Sequence, residues 1–310
     1  MHNQDAHFLG VDVGGTHLKI GLVDKKGEIL DFQKEDTTPY RDDANGFGPC
    51  FIKGLKKYLE KYPTVRQIGI GLPGLISKDR TTTLEIPAIP SLNGFNLKAG
   101  LDAAYPEYEF YLENDAAAAA MGEFYYGKED PAANFIFITM GTGIGSALLL
   151  DGQIFKGSRG NAMEMGHMLS HGNARLETLI GRKGILKIME RMISAYPEKA
   201  GNLIGAELGT HLLVDTARAG NPVSLMVFEE VGRILGESIV STIRILDVNA
   251  VYFGGGISAG LEFMMPALER TIKQYLTPYY VKDLVLRKAT LENNAGTLGA
   301  AALCFMGSGL

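Results

Sequence analysis

The stretch Leu9-Gly-Val-Asp-Val-Gly-Gly-Thr16 is an apolar run that ends on an acid, two glycines and a threonine. A second apolar run, 18–24, follows at once, so the pattern reads as a β-hairpin. A hairpin that needed only a turn would use a dipeptide such as Asn-Gly. Glycines lack a Cβ and let backbone N–H groups close on an anion. The same device returns at Met140-Gly-Thr-Gly-Ile-Gly145, between apolar runs at 134–139 and 144–150. Two such turns suit the two ends of a polyphosphate held between two lobes. They point to a nucleotide-dependent phosphotransferase.

Working outward, 8–13, 18–24 and 28–33 read as strands, with Asp24-Lys-Lys-Gly27 as a turn. Phe51, Leu55, Tyr58 and Leu59 fall on one side of a helix over 46–62. A short buried strand at 67–71 stops at Leu72-Pro-Gly74. The segment 77–96 is rich in Thr, Pro and Gly and reads as a long loop with short extended pieces. A strand at 108–112 leads into a helix at 115–125, where Ala116 to Ala120 are strong helix formers. The pattern then begins again with the strands around the second glycine turn. Residues 176–196 read as helical, with breaks near Gly181 and Gly184. Helices at 222–246, 260–276 and 295–305 alternate with strands at 250–253 and 284–288. Two related α/β lobes follow from this order.

The 310 residues can bury a core without disulfides or metals. A net charge of -5 argues against nucleic acid as a main partner. Cys50 and Cys304 form neither a disulfide framework nor a zinc site by spacing. The polar start shows no signal-peptide pattern, and no apolar run is long enough to span a bilayer. A cytoplasmic protein with no membrane partner is expected.

Four further segments carry chemistry. Asp12, at the end of the first strand, is placed to hold Mg²⁺ or its waters beside phosphates. Gly254-Gly-Gly-Ile-Ser-Ala259 fits a loose dinucleotide pattern, but a Rossmann unit needs an acid about 20 residues on. That distance falls near Gln274, inside the 260–276 helix. The better reading is a strand-to-helix turn on which adenosine lies. Glu113-Asn114-Asp115 ends a strand and starts a helix. It reads either as an Asn/Asp helix cap or as a carboxylate at a sheet–helix junction, able to accept a proton. Glu164-x-x-His167 reads as a surface turn, a metal pair, or two ligands for hydroxyls. Metal is disfavoured because only His171 and Glu177 lie near by sequence.

Together these segments resemble the ROK family (repressor, open reading frame, kinase) of sugar kinases and repressors. The likeness covers nearly the whole chain. Asp12-Val-Gly-Gly-Thr16 is similar to the family's first phosphate motif and Gly141-Thr-Gly-Ile-Gly145 to its second. Gly69-Ile-Gly-Leu-Pro-Gly-Leu-Ile76 and Asn93-Gly94 fall where the family has its sugar-side loops. Glu113-Asn-Asp-Ala-Ala117 resembles its catalytic segment, Asn161-Ala-Met-Glu-Met-Gly-His167 its signature, and 252–258 its adenosine motif.

The resemblance implies an α/β, actin-like ATPase (ribonuclease H-like) fold with two lobes around a central cleft. Residues 1–122, joined by the C-terminal helix 295–310, would form the small lobe, and 123–294 the large one. It implies phosphorylation of a hexose or N-acetylhexosamine by ATP with Mg²⁺, usually at the 6-hydroxyl, and a homodimer. Asp115 would be the base. Gly74, Asn93, Asn114, Glu164, His167 and Glu177 would hold the sugar together with Asp115. Asp12, Gly14, Gly15 and Thr16 would serve phosphate and Mg²⁺, with Gly141, Thr142 and Gly143 opposite and Gly254, Gly255 and Gly256 against adenosine.

Two departures stand out. Many members follow the Gly-His pair with a three-cysteine loop that binds zinc together with the histidine. Here the chain runs His167-Met-Leu-Ser-His-Gly-Asn-Ala-Arg-Leu-Glu177, without cysteine, so no structural zinc is expected. Met163 stands where many members have Gly. Competing expectations are a polyphosphate-dependent sugar kinase, which some zinc-less relatives are, and a non-catalytic sugar-sensing regulator. The family's repressors carry a helix-turn-helix segment ahead of the first strand, and no such segment precedes Phe8 in this sequence.

Overall fold

A computed structural model describes residues 6–307. Residues 1–5 and 308–310 of the expected small lobe lie outside the described residues. Strands β1 (His7–Val13), β2 (His17–Asp24) and β3 (Ile29–Asp36) lead into helices α1 (Thr38–Arg41) and α2 (Phe47–Lys61). Next come β4 (Gln67–Leu72), the short β5 (Leu75–Ile76) and β6 (Thr83–Glu85), α3 (Leu97–Ala104), β7 (Glu109–Asn114) and α4 (Asp115–Tyr126). Then follow β8 (Phe135–Met140), β9 (Ile144–Leu150), β10 (Gln153–Ile154), α5 (Leu176–Ile180), α6 (Arg182–Ala195), α7 (Pro197–Ala200), α8 (Thr210–Arg218) and α9 (Pro222–Leu246). The chain ends with β11 (Ala250–Gly254), α10 (Leu261–Tyr275), α11 (Pro278–Val281), β12 (Val285–Lys288) and α12 (Ala295–Gly307). It divides into two compact units. The first holds Met1–Ala133, Ala147–Met163 and Thr290–Leu310; the second holds Asn134–Ser146 and Glu164–Ala289.

In the first unit the sheet order is β3-β2-β1-β4-β7. Strands β1, β2 and β3 pair antiparallel, and β4 and β7 continue parallel to β1. Leu9, Val11, Ile68 and Ile70 join Phe47, Phe51 and Leu55 of α2 in one buried cluster. The opposite face is built for close approach. The register sets Gly21, Gly10 and Gly69 side by side across β2, β1 and β4. Helix α12 lies on this glycine row. A Cβ on Gly10 would stand 2.1 Å from the Thr297 carbonyl oxygen, and one on Gly69 only 1.7 Å from that of Ala300. Small residues on α12 (Ala300, Ala301) meet the absence of side chains on the sheet. Helix α4 packs against α12 by the same device, because a Cβ on Gly122 would come within 2.8 Å of Gly299.

The long loop after β4 is ordered. Strands β5 and β6 pair within it, and a 3-10 turn covers Pro90–Leu92. Asn161 anchors it, accepting from Ile76 N–H at 2.9 Å and donating to Ile76 C=O at 2.8 Å.

In the second unit β8, β11 and β12 form parallel ladders, with Gly254 beside Thr139 and Ala250 beside Val285. Helix α9 begins with Asn221, whose side chain accepts from Ser224 N–H at 3.0 Å, followed by Pro222 at the first helical position. Gly232 and Gly236 let it approach α10, since a Cβ on Gly232 would lie 2.4 Å from the Met264 carbonyl oxygen. The helical stretch 176–196 breaks at Gly181 only. Gly184 lies inside α6, correcting the second expected break: a Cβ there would collide with Leu179 C=O at 2.2 Å, so this glycine serves packing. Helices α3 and α8 form where the sequence pattern predicts none. No helix among the described residues is long and apolar enough to cross a membrane.

Candidate functional site

The first glycine turn closes the β1–β2 hairpin. Gly14 N–H donates to His17 C=O at 2.9 Å, and the buried Thr37 hydroxyl donates to Gly14 C=O at 2.8 Å. Thr16 is exposed at the tip. Register places Asp12 opposite Lys19, and the Lys19 ammonium donates to Asp12 Oδ2 at 3.1 Å. Gly296, in the first turn of α12, leaves room for this carboxylate, because a Cβ there would lie 2.3 Å from Oδ2. An acid beside the start of a helix is favoured by the helix dipole.

Asn114 and Asp115 sit where β7 becomes α4. The cap reading holds for Asn114: its Oδ1 accepts from Ala116 N–H at 2.9 Å and Ala117 N–H at 3.1 Å. Its amide nitrogen donates to Gly74 C=O at 3.2 Å. Asp115 follows as the first helical residue, and its Oδ1 accepts from Ala116 N–H at 2.8 Å. Gly74 takes φ +85° in a turn where a Cβ would strike Glu85 C=O. Asn93 closes the loop by accepting from Ile86 N–H at 2.7 Å. Buried Glu113, one residue before the cap, pairs with Arg80 at 2.9 Å and lies 3.7 Å from Lys156.

In the second unit Glu164, His167 and Glu177 come together. Glu164 Oε2 lies 4.0 Å from His167 Nε2, and Glu177 Oε1 lies 3.8 Å from Nδ1. Burial pushes the Glu164 carboxyl above the usual glutamate range; the neighbouring His167 partly offsets this and Glu177 adds to it. Met163, just before, takes φ +71°, a left-handed conformation that costs any residue but glycine.

The second glycine turn belongs to the same unit. Gly141 N–H donates to Gly143 C=O at 2.9 Å, and Arg182 N–H, at the start of α6, donates to Gly141 C=O at 3.1 Å. Thr142 is exposed. A Cβ on Gly143 would press on Glu177 Oε2 at 2.7 Å. Gly254 has no room because of Phe137, and Gly255 combines φ +82° with a close Met140 backbone. Gly141 and Gly256 differ from these. A Cβ on either would meet nothing within 4 Å, and neither has a left-handed φ. Beside the 254–256 turn opens a cavity of about 360 Å³ whose lining includes Arg218, Ser258, Ala259, Glu262 and Lys288.

The sequence model of the ROK family matches residues 8–306. The chain belongs to the ROK family. It is 28% identical over 315 residues to a glucokinase of Halalkalibacterium halodurans, covering 96% of this chain and 95% of that one. Among solved structures, a candidate sugar kinase of Cytophaga hutchinsonii superposes with a TM-score of 0.92 at 37% identity, covering 97% of this chain and all of that one. A ROK glucokinase of Streptomyces griseus, in complex with glucose and AMPPNP, does so with a TM-score of 0.80 at 26% identity, again over 97% and 100%. The fold is therefore the two-lobed actin-like ATPase fold of ROK glucokinases.

The zinc of many ROK members does not fit the residues here. The loop between His167 and Glu177 holds no cysteine, and His171 within it pairs with Glu237 of α9. No group of three or more His, Cys, Asp or Glu able to hold a metal occurs among the described residues. Sequence reasoning missed Lys19, Arg80, Lys156 and Arg175. Lys19 was within reach, because a hairpin closing on 14–17 sets it opposite Asp12. The others meet their partners only through tertiary packing.

Proposed function

We propose that this ROK-family sugar kinase transfers the terminal phosphoryl group of ATP to the 6-hydroxyl of a hexose or N-acetylhexosamine, with Asp115 as general base. The observation that carries the donor side is the pair Gly141 and Gly256, whose lack of a side chain serves neither packing nor backbone conformation. Open space over a backbone is what a phosphate or nucleotide needs to reach N–H groups.

In the reaction, Asp115 accepts the proton of the sugar hydroxyl as its oxygen attacks the terminal phosphorus. The terminal phosphoanhydride bond breaks and ADP leaves. Asn114 caps the start of α4 and so holds the base, and its side-chain amide, which has two N–H donors, donates to a sugar hydroxyl as well as to Gly74 C=O. Glu164 and Glu177 accept hydrogen bonds from sugar hydroxyls, and Gly74 and Asn93 shape the loop on the sugar side. Lys19 keeps the Asp12 carboxylate oriented beside the Gly14-Gly15-Thr16 turn. Asp12 would offer an oxygen donor to Mg²⁺, and the ion would neutralise charge on the phosphates. The same reading includes a homodimer acting in the cytoplasm and no nucleic-acid partner.

The test is a panel of hexoses and N-acetylhexosamines, each offered with ATP or polyphosphate. Phosphorylation with ATP supports the reading, and preference for polyphosphate replaces the donor. Phosphorylation of no sugar by either donor overturns it. Asp115→Asn should lower turnover by about 100-fold or more while sugar affinity is kept. Near-normal turnover in that variant removes Asp115 from the role.

A further inference from the structure

The Arg175 guanidinium stands 3.2 Å from His167 Nδ1. A guanidinium has donors and no acceptor, so a hydrogen bond across this contact needs Nδ1 as its acceptor, bare of hydrogen. The rival partner of Nδ1, Glu177 Oε1, lies at 3.8 Å, outside hydrogen-bond range. Nε2 faces Glu164 Oε2 at 4.0 Å, again outside that range. Two carboxylates flank the ring, and Arg175 is the cation that offsets them.

We infer that Arg175 is the positioning residue for His167, holding its ring in the neutral tautomer with hydrogen on Nε2. The hydrogen-bond partner of one ring nitrogen sets the state of the other. His167 then presents a donor on the side of Glu164, an acceptor when ionised. One sugar hydroxyl can accept from Nε2–H and donate to Glu164. That consequence, unlike the tautomer, rests on the sugar-kinase reading.

Backbone pairing within the loop holds Arg175 in place. A β-bridge joins Leu169 to Arg175, Ser170 N–H donates to Ala174 C=O at 2.8 Å, and Leu176 N–H donates to Met168 C=O at 2.9 Å. At the tip His171 pairs with Glu237, which also accepts from Arg233 at 2.7 Å.

The experiment labels the histidines with ¹⁵N in the full chain and reads ring-nitrogen shifts near neutral pH, with His167→Gln assigning the signal. The expected result is hydrogen on Nε2 and a bare Nδ1 in the parent protein. Arg175→Met should move the ring toward Nδ1–H, leave the other five histidines unchanged, and be reversed in part by Arg175→Lys. The KM for sugar should rise roughly tenfold, with kcat within roughly threefold. Hydrogen on Nδ1 in the parent protein overturns the inference, as does an Arg175→Met ring signal unchanged from the parent. If no sugar is phosphorylated, the kinase reading fails, and the ring-nitrogen shifts still decide the tautomer.

Discussion

Gly69→Ala places a methyl group 1.7 Å from the Ala300 carbonyl oxygen and 2.6 Å from its carbon. Both neighbours are helix backbone, so no rotamer change relieves the clash. Gly69 sits within β4, paired with β1 on one side and β7 on the other, so the strand cannot withdraw by itself. Helix α12 must therefore retreat by about 1.3 Å to restore even a 3.0 Å separation. That lifts Thr297, Ala300 and Ala301 off the glycine row and shifts Gly296 away from Asp12. Over-packing a tight core costs about 1–3 kcal/mol, and a rigid backbone partner puts this site at the top of that range. A loss of about 3 kcal/mol corresponds to a fall of about 5 °C in Tm for a chain of 310 residues. Urea denaturation gives the magnitude, and hydrogen exchange of β1 and β4 amides localises it to the first unit. A variant within about 0.5 kcal/mol of the parent, with unchanged denaturant slope, would refute the close packing.

Gly141→Ala is the counterpart: its methyl meets nothing, so Tm should hold while the KM for ATP rises, and a drop in Tm with unchanged KM would reverse the assignment. Glu123 is fully buried and accepts from Thr290 N–H, the Thr290 hydroxyl and Leu291 N–H. Glu123→Ala orphans two backbone donors and should cost about 2–6 kcal/mol in equilibrium unfolding, from about 1–3 for each. Glu164 accepts more strongly from a sugar hydroxyl when ionised, and burial raises its carboxyl. Sugar affinity should therefore be complete well above the carboxyl's raised value and fall as pH drops through it, earlier than for an ordinary glutamate. A pH series of binding constants checks this, and Glu164→Gln should remove the acid limb.

Much of the architecture was legible because it is encoded locally. Strand, turn and strand around Gly14 and Gly141 are matters of short-range hydrophobic pattern and turn chemistry. Helix 222–246 shows its start in Asn221-Pro222 and its face in the spacing of Val227, Ile234 and Ile239. Helix α3 was hidden inside a Pro- and Gly-rich context, and α6 runs through Gly184 because packing against Leu179 outweighs that residue's low propensity. The glycines of the 141–143 and 254–256 turns all looked like ligand positions. The structure divides them: Gly254 and Gly255 are required by Phe137 and Met140, while Gly141 and Gly256 have no packing reason to be glycine.

Order and spacing of the motifs determined the ROK likeness, the α/β fold and the identity of the candidate acids, because each motif lies within one turn or one strand end. Tertiary structure decided what each acid touches. The glycine row Gly21, Gly10, Gly69 has meaning only when α12, more than 200 residues later in the chain, lies upon it. Arg175 is an ordinary loop arginine until the loop folds back on His167. Backbone conformation follows from neighbours in sequence, but a hydrogen bond or a van der Waals limit follows from neighbours in space.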